Sequence, residues 1–346
     1  MKKQEINYKK SFIKKLFVKI CRMMGYEIID QNQFFVPTLN KTLSENLSTP
    51  GKKSITLPLG EVKITRKVKA LKIIFRSCTN VNMLTQNKKR LFDKEKSEYT
   101  FRSLNSIIIS LNNAKKIAPK IEFNIVIIDH NSSLNDQNKM KRLLNKSGLK
   151  NSFIPLNIND FVNKIKKINA KNENVTDNQK SNMSNIHKSL MVAKDECKDL
   201  VYFVEDDYLH QENSIEEMIY GYERISSQTN KELIMCPADY PYLYTKIDST
   251  QIFLGSKAHW RVIDETLCTF LTSKIIIDKY WDKLTSMCVF EHYPFEKPLH
   301  DIYKLEYCLS PIPSLALHCT NVNSIFGLSP NIDWKEIWDK NEIKEF

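Results

Sequence analysis

Leu200-Val201-Tyr202-Phe203-Val204-Glu205-Asp206-Asp207 decides the reading of this chain, because a buried strand here ends in three adjacent carboxylates. Alternate residues of a strand point to opposite faces, so Glu205 and Asp207 can share one face while Asp206 turns to the other. Three neighbouring acids repel one another unless cations or hydrogen-bond donors neutralise them. Hard oxygen ligands of this kind suit Mg2+ or Mn2+, with the phosphates of a substrate completing the shell. A plainer reading also fits the tripeptide: an acidic junction ahead of a helix that begins near Asn213 and carries Ile215, Met218 and Ile219 on one face, where acids favour the positive end of the helix.

Working outward, the segment Leu71-Lys72-Ile73-Ile74-Phe75-Arg76-Ser77-Cys78 reads as a first strand running into polar residues. A helix is expected over 101–118, with Leu104, Ile107, Ile108 and Leu111 at helical spacing and Pro119 as its stop. Phe123-Asn124-Ile125-Val126-Ile127-Ile128-Asp129 has the continuous apolar character of a parallel strand covered on both faces. Residues 151–158 read as a third strand, the Asn- and Lys-rich stretch 159–182 as a loop of disordered composition, and 185–194 as a helix leading into the acidic strand. This alternation predicts an α/β fold with a mainly parallel central sheet flanked by helices and right-handed crossovers. In such sheets ligands gather at the carboxyl ends of the strands. Arg76, Asp129 and the acidic cluster all fall at such ends, which together describe a site for a phosphorylated, hydroxyl-rich ligand.

The 346 residues, 42% hydrophobic, are enough for a sizeable core, and only 7 glycines with no internal repeat argue against fibrous or repetitive structure. Eight dispersed cysteines without a C-x-x-C pair suit a reducing cytoplasm. No stretch approaches the roughly twenty apolar residues a membrane span needs. The net charge of +12 is concentrated at the start: Lys2, Lys3, Lys9, Lys10, Lys14, Lys15, Lys19 and Arg22 surround Phe12, Ile13, Leu16, Phe17 and Ile20 at helical spacing. Lysines interrupt every candidate apolar core of a leader peptide. Residues 1–30 therefore read as a basic amphipathic helix, suited either to the anionic inner face of a membrane or to its own domain. Nucleic acid fits less well, since the aromatics lie on the apolar stripe and form no stacking platform. Residues 31–69, with Pro37, Pro50, Gly51, Pro58 and Gly60, read as a linker with at most a short hairpin, and 70–346 as the main domain.

With those strand ends in order, the chain resembles the glycosyltransferases of the GT-A (nucleotide-diphospho-sugar transferase) fold, in particular the inverting family 2 group, over about residues 71–319. The resemblance implies a nucleotide-sugar donor held at Arg76 to Thr79 and at Asp129-His130-Asn131-Ser132-Ser133. Glu205-Asp206-Asp207 looks like the Asp-x-Asp motif, with glutamate in place of the first aspartate. By the same resemblance Glu205 and Asp206 would contact the donor and Asp207, Glu205 and His318 would hold Mn2+ or Mg2+. Leu267 to Lys274 would line the acceptor side, and Asp301 in His300-Asp301, ahead of a helix, would be the catalytic base, with histidine where the family usually has glutamate. The implied chemistry is transfer of a sugar to a glycan or lipid-linked acceptor hydroxyl.

Each residue also has a structural reading: Asp301 as a helix-start acid, His318 as a core histidine, Arg76 and Asp129 as local ion-pair or loop partners. Asp239, Tyr240, Trp260 and Arg261, in Asp239-Tyr240-Pro241-Tyr242-Leu243-Tyr244 and His259-Trp260-Arg261, are acceptor-site candidates that could equally be packing. The spacing of His292, His300, Cys308, His318 and Cys319 fits no common zinc module. A sugar-phosphate nucleotidyltransferase would usually carry a glycine-rich loop after the first strand, whereas Ser77-Cys78-Thr79-Asn80 has no glycine. A carbohydrate-binding protein without turnover is the non-enzymatic alternative, kept open by Glu205 and His300.

Overall fold

The structure is a computed structural model and describes residues 12–26, 28, 63–80, 90–165, 173–245, 247, 249–290 and 292–344. It divides into two units, Met1–Val62 and Lys63–Phe346. In the first, the helix α1 (Phe12–Met23) forms where the sequence places an amphipathic helix. The early lysines up to Lys10 and any hairpin within 31–62 lie outside the described residues.

The second unit opens with residues 63–69, which the sequence reading assigns to the linker. They are held to the domain instead: Arg66 pairs with Asp199 and Glu232, and the backbone N–H of Lys69 donates to Asp199. Strand β1 (Ala70–Ser77) follows, then α2 (Lys96–Ile117), β2 (Glu122–Asp129), α3 (Leu134–Lys146) and β3 (Lys150–Pro155). Helix α2 begins five residues before the expected 101. Its first turn has no apolar period to mark it, yet an Arg102 to Glu98 ion pair and the side chain of Lys96 fix it in place. Helix α3 carries little apolar periodicity in the sequence, since only Met140 and Leu144 of it are buried.

Helix α4 (Asp177–Glu196) corrects the expected loop of 159–182 and the expected helix start at 185. Thr176 accepts from the Gln179 backbone while the Gln179 side chain returns to the Thr176 N–H, a reciprocal capping box that starts the helix in polar sequence. Then come β4 (Leu200–Glu205), β5 (Tyr208–His210), α5 (Ser214–Thr229), β6 (Ile234–Met235), β7 (Ile252–Leu254), β8 (His259–Val262) and β9 (Phe270–Ser273). The chain closes with α6 (Lys274–Lys279), α7 (Trp281–Val289), α8 (Lys297–Tyr303), β10 (Cys308–Ile312), β11 (Ala316–His318) and α9 (Trp334–Lys340).

The main sheet has nine strands in the order β3-β2-β1-β4-β9-β6-β10-β8-β7. From β3 to β4 every pairing is parallel, and β9 enters antiparallel between β4 and β6. Strand alternation sorts the core onto two faces. Ile73, Phe75, Ile125, Ile127, Tyr202 and Val204 pack against α2, α3 and α5. Ile74, Val126, Ile128, Val201 and Phe203 pack against α4 and the helices that follow β9. Each such side chain contributes about 1.5–3 kcal/mol by leaving water, and the rigid layer that results fixes where the strand ends point. Strands β5 and β11 form a separate antiparallel pair just beyond the acidic strand end.

Candidate active site

The parallel register sets Arg76 opposite Glu205 on β1 and β4, and Ser77 opposite Asp129 on β1 and β2. Asp206 and Asp207 make the turn from β4 into β5, and β5 pairs with β11 so that Tyr208 faces His318. The backbone N–H of Cys319 donates to the Asp207 carbonyl, fixing the two strands at that corner. The result is a cleft of about 230 Å³ at the carboxyl edge of the sheet. Three cations, Arg76, Arg90 and Lys96, share it with four carboxylates, Glu205, Asp206, Asp207 and Glu296.

The three acids of the cluster have different partners. Asp206 is saturated by the protein: it accepts from Lys96 Nζ, from Thr100 Oγ1 at 2.8 Å and from the Cys78 N–H at 3.1 Å. Glu205 is engaged by Arg76 Nη2 at 2.9 Å and by Thr269 Oγ1 at 3.2 Å. That ion pair holds the buried Arg76 guanidinium, whose Nη1 also donates to Asn182 Oδ1 at 3.3 Å. Asp207 Oδ2 accepts from Thr320 Oγ1 at 2.6 Å, while its Oδ1 is buried with no partner. A buried polar atom left in that state costs about 1–3 kcal/mol, which a ligand supplying the missing partner would recover.

Electrostatics reinforce this division. Burial by itself would lower Lys96, but Asp206 and Asp207 outweigh it and hold the amine above its ordinary value. Burial likewise opposes the Arg76 charge, and Glu205 overrides it. Burial would raise Asp207, yet His318 and Lys96 pull it well below the usual carboxylate range; burial would lower His318, and Asp207 raises it. His318 is also stacked on Tyr208 with ring centroids 4.8 Å apart.

A divalent cation can be tested against these atoms. His318 Nδ1 donates to the Phe326 carbonyl at 2.9 Å, while Nε2 lies 3.0 Å from Thr320 Oγ1, whose hydroxyl donates to Asp207, and 3.5 Å from Asp207 Oδ2, so a cation would displace the Nε2 proton to use that lone pair. Asp207 and His318 therefore fit as the two protein ligands of a cation whose remaining positions go to phosphate and water. Glu205 does not join them, because both of its oxygens are taken by Arg76 and Thr269. Among the described residues no group of three or more His, Cys, Asp and Glu side chains converges on one point.

Arg76, Glu205, Asp206, Asp207 and His318 are thus brought together as the sequence anticipates, and the other candidates are not. Asp129 turns inward, accepting from Ser77 and Ser132. Burial raises its pKa, those hydroxyls counteracting only in part, and it shapes the strand-end loop without lining the cleft. Asp301 lies on the outer side of α8, bonded to Lys304 at 3.1 Å and 4.0 Å from Lys297, and the hydrogen bond from Lys304 lowers its pKa. The four acceptor candidates are core. Tyr240 bonds the Tyr208 hydroxyl; the Trp260 indole N–H reaches the buried Glu217; Arg261 pairs with Asp239. All four are buried, Trp260 and Arg261 on β8 within the main sheet, between β10 and β7.

The sequence reading missed Lys96, Arg90 and Glu296. Lys96 belongs to a run of charged residues that nothing distinguishes locally. Glu296 had a usable signal, an acid at the cap of a helix with Pro298 in its first turn.

No protein-family model and no curated protein matches the sequence. Solved structures it resembles include a galactosyltransferase, LgtC, in complex with donor and acceptor sugar analogues, at 12% identity and a TM-score of 0.30, covering 62% of this chain and 64% of that one. S. aureus TarS 1-349 is similar at 10% identity and a TM-score of 0.34, covering 68% of this chain and 66% of that one. The inositol-1-phosphate CTP transferase from T. maritima is similar at 10% identity and 0.36, covering 81% and 99%. The match thus spans just under two thirds of LgtC, and likenesses at this level assign neither a residue nor an activity to the chain.

Proposed function

We propose that the protein is a glycosyltransferase that moves a sugar from a nucleoside-diphosphate donor to an acceptor hydroxyl, on a glycan or a lipid-linked acceptor. The observation that carries this reading is the buried Asp207 Oδ1 without a hydrogen-bond partner, in a cleft at the sheet's carboxyl edge that it shares with the cations Arg76, Arg90 and Lys96. The carboxylate oxygen suits a divalent cation, and the arginine side chains suit the phosphates bound to it. Mn2+ or Mg2+ held by Asp207 and His318 would neutralise charge developing on the leaving diphosphate.

The chain's own residues supply the rest. Arg76, held by Glu205, and Arg90 are the cleft cations that would meet the diphosphate. Lys96 keeps Asp206 in place and so fixes the backbone of the Glu205 to Asp207 turn. Glu296, the cleft carboxylate outside the acidic cluster, takes the role expected of Asp301: it accepts the acceptor proton as that oxygen bonds the anomeric carbon and the bond from that carbon to the phosphate oxygen breaks. Attack opposite the leaving group inverts the anomeric centre.

The test is a thermal-shift and turnover screen of nucleotide sugars with and without Mn2+, on wild type beside Asp207→Ala. At ligand concentrations near 100 times Kd the donor should add about 2.7 kcal/mol to stability in wild type, and the variant should lose the metal-dependent part. A response confined to a nucleoside triphosphate with a sugar phosphate would replace transfer by nucleotidyl transfer. Silence toward every donor would remove the reading.

A further inference from the structure

We infer that α1 is a docking surface for an anionic lipid bilayer, independent of the chemistry in the cleft. At 3.6 residues per turn, Phe12, Ile13, Leu16, Phe17, Ile20 and Met23 lie within one arc of about 140°. They are between 45% and 80% exposed, an unbroken apolar face on a helix only 12 residues long. At the same helical spacing Lys19 lies about 20° outside one edge of that arc, Lys15 and Arg22 about 60° and 80° outside it, and Lys14 about 60° outside the other; Lys19 and Arg22 are exposed. Cations rimming an apolar stripe match a membrane interface in two ways: the stripe enters the boundary between headgroups and chains, while the rim meets anionic headgroups. The preceding sequence adds Lys2, Lys3, Lys9 and Lys10, and no described helix is long and apolar enough to cross a bilayer. Charge selects this occupant over a second copy of the chain, which is itself strongly basic at +12 and would bring like charges together.

The experiment is co-sedimentation of the full chain with phosphatidylcholine vesicles and with vesicles containing one fifth phosphatidylserine, at low and high salt. Binding to the anionic vesicles should exceed neutral binding by more than about tenfold and weaken with salt, since each basic residue near such a surface contributes about fivefold. Lys19→Ala with Arg22→Ala should reduce anionic binding by about 25-fold, and Leu16→Glu with Phe17→Glu should abolish it without moving the melting temperature. Equal binding to both vesicles, or to neither, overturns the inference. So does a wild-type dimer that Leu16→Glu with Phe17→Glu makes monomeric, or a fall of several degrees in melting temperature in that variant; these would assign the stripe to a second copy or to the chain's own domain.

Discussion

Replacing Lys96 by methionine tests the internal wiring of the cleft without touching the atoms assigned to ligands. Methionine retains nearly all the volume, so the perturbation is the removal of a charge from beside Asp206, and both side chains are well shielded, at 16% and 12% exposure. Breaking a buried ion pair from one side costs about 3–5 kcal/mol. Asp206 keeps its bonds from Thr100 and the Cys78 N–H, which places the cost near the lower end, about 3 kcal/mol. For a unit the length of Lys63–Phe346 that corresponds to about 5 °C in Tm. Urea unfolding of wild type, Lys96→Met, Asp206→Asn and the double variant gives the coupling directly. The double variant should recover at least about 1.5 kcal/mol relative to the sum of the singles, because the carboxylate that methionine strands is then gone. A single Lys96→Met cost below about 1 kcal/mol, or additive singles, would refute the claim that this pair holds the acidic turn. Asp207, also within the field of Lys96, should bind Mn2+ more tightly in Lys96→Met, a direction opposite to that expected if the lysine merely supported folding.

Two further outcomes discriminate among residues. Asp301→Asn should leave transfer within about twofold, since its partners are surface lysines, whereas Glu296→Gln should lower kcat by about 10²-fold or more with donor affinity nearly unchanged; the reverse ranking in steady-state assays would restore Asp301 as base. Burial holds His210 down to about 3 while its Nε2 meets the Tyr202 hydroxyl. The folded state therefore refuses a proton that the unfolded chain takes up below about pH 6.5, and the stability present above that pH is lost as pH falls toward 3, by about 3 kcal/mol at pH 4.5. His210→Gln should flatten that part of the urea-stability profile, and an unchanged slope would assign the acid sensitivity elsewhere.

How much was legible in advance differs between elements. The strands β1, β2 and β4 announce themselves as apolar runs because both faces of a parallel sheet are covered, and their polar ends mark the ligand edge. Helix α4 hid its first two turns in a polar stretch whose Thr176 to Gln179 capping signature was present and unread. Asp129 and Arg76 look alike as strand-end residues, but register gives the first two serine hydroxyls and turns it inward, while the second reaches the cleft. Trp260 and Arg261 read as recognition residues because aromatics and cations serve both binding and packing, and local sequence does not state which side of a strand will be covered.

The sequence by itself determined the alternation of strands and helices, the edge of the sheet on which polar residues collect, and the amphipathic face of α1, all of which follow from periodicity along a few consecutive residues. Only the tertiary structure decided which acid is free. Lys96 reaches Asp206 across 110 positions, and Thr320 and His318 reach Asp207 through the pairing of β5 with β11. Those partners, distant in the chain, saturate one carboxylate and leave an oxygen of its neighbour bare, a distinction that three adjacent acidic letters do not contain.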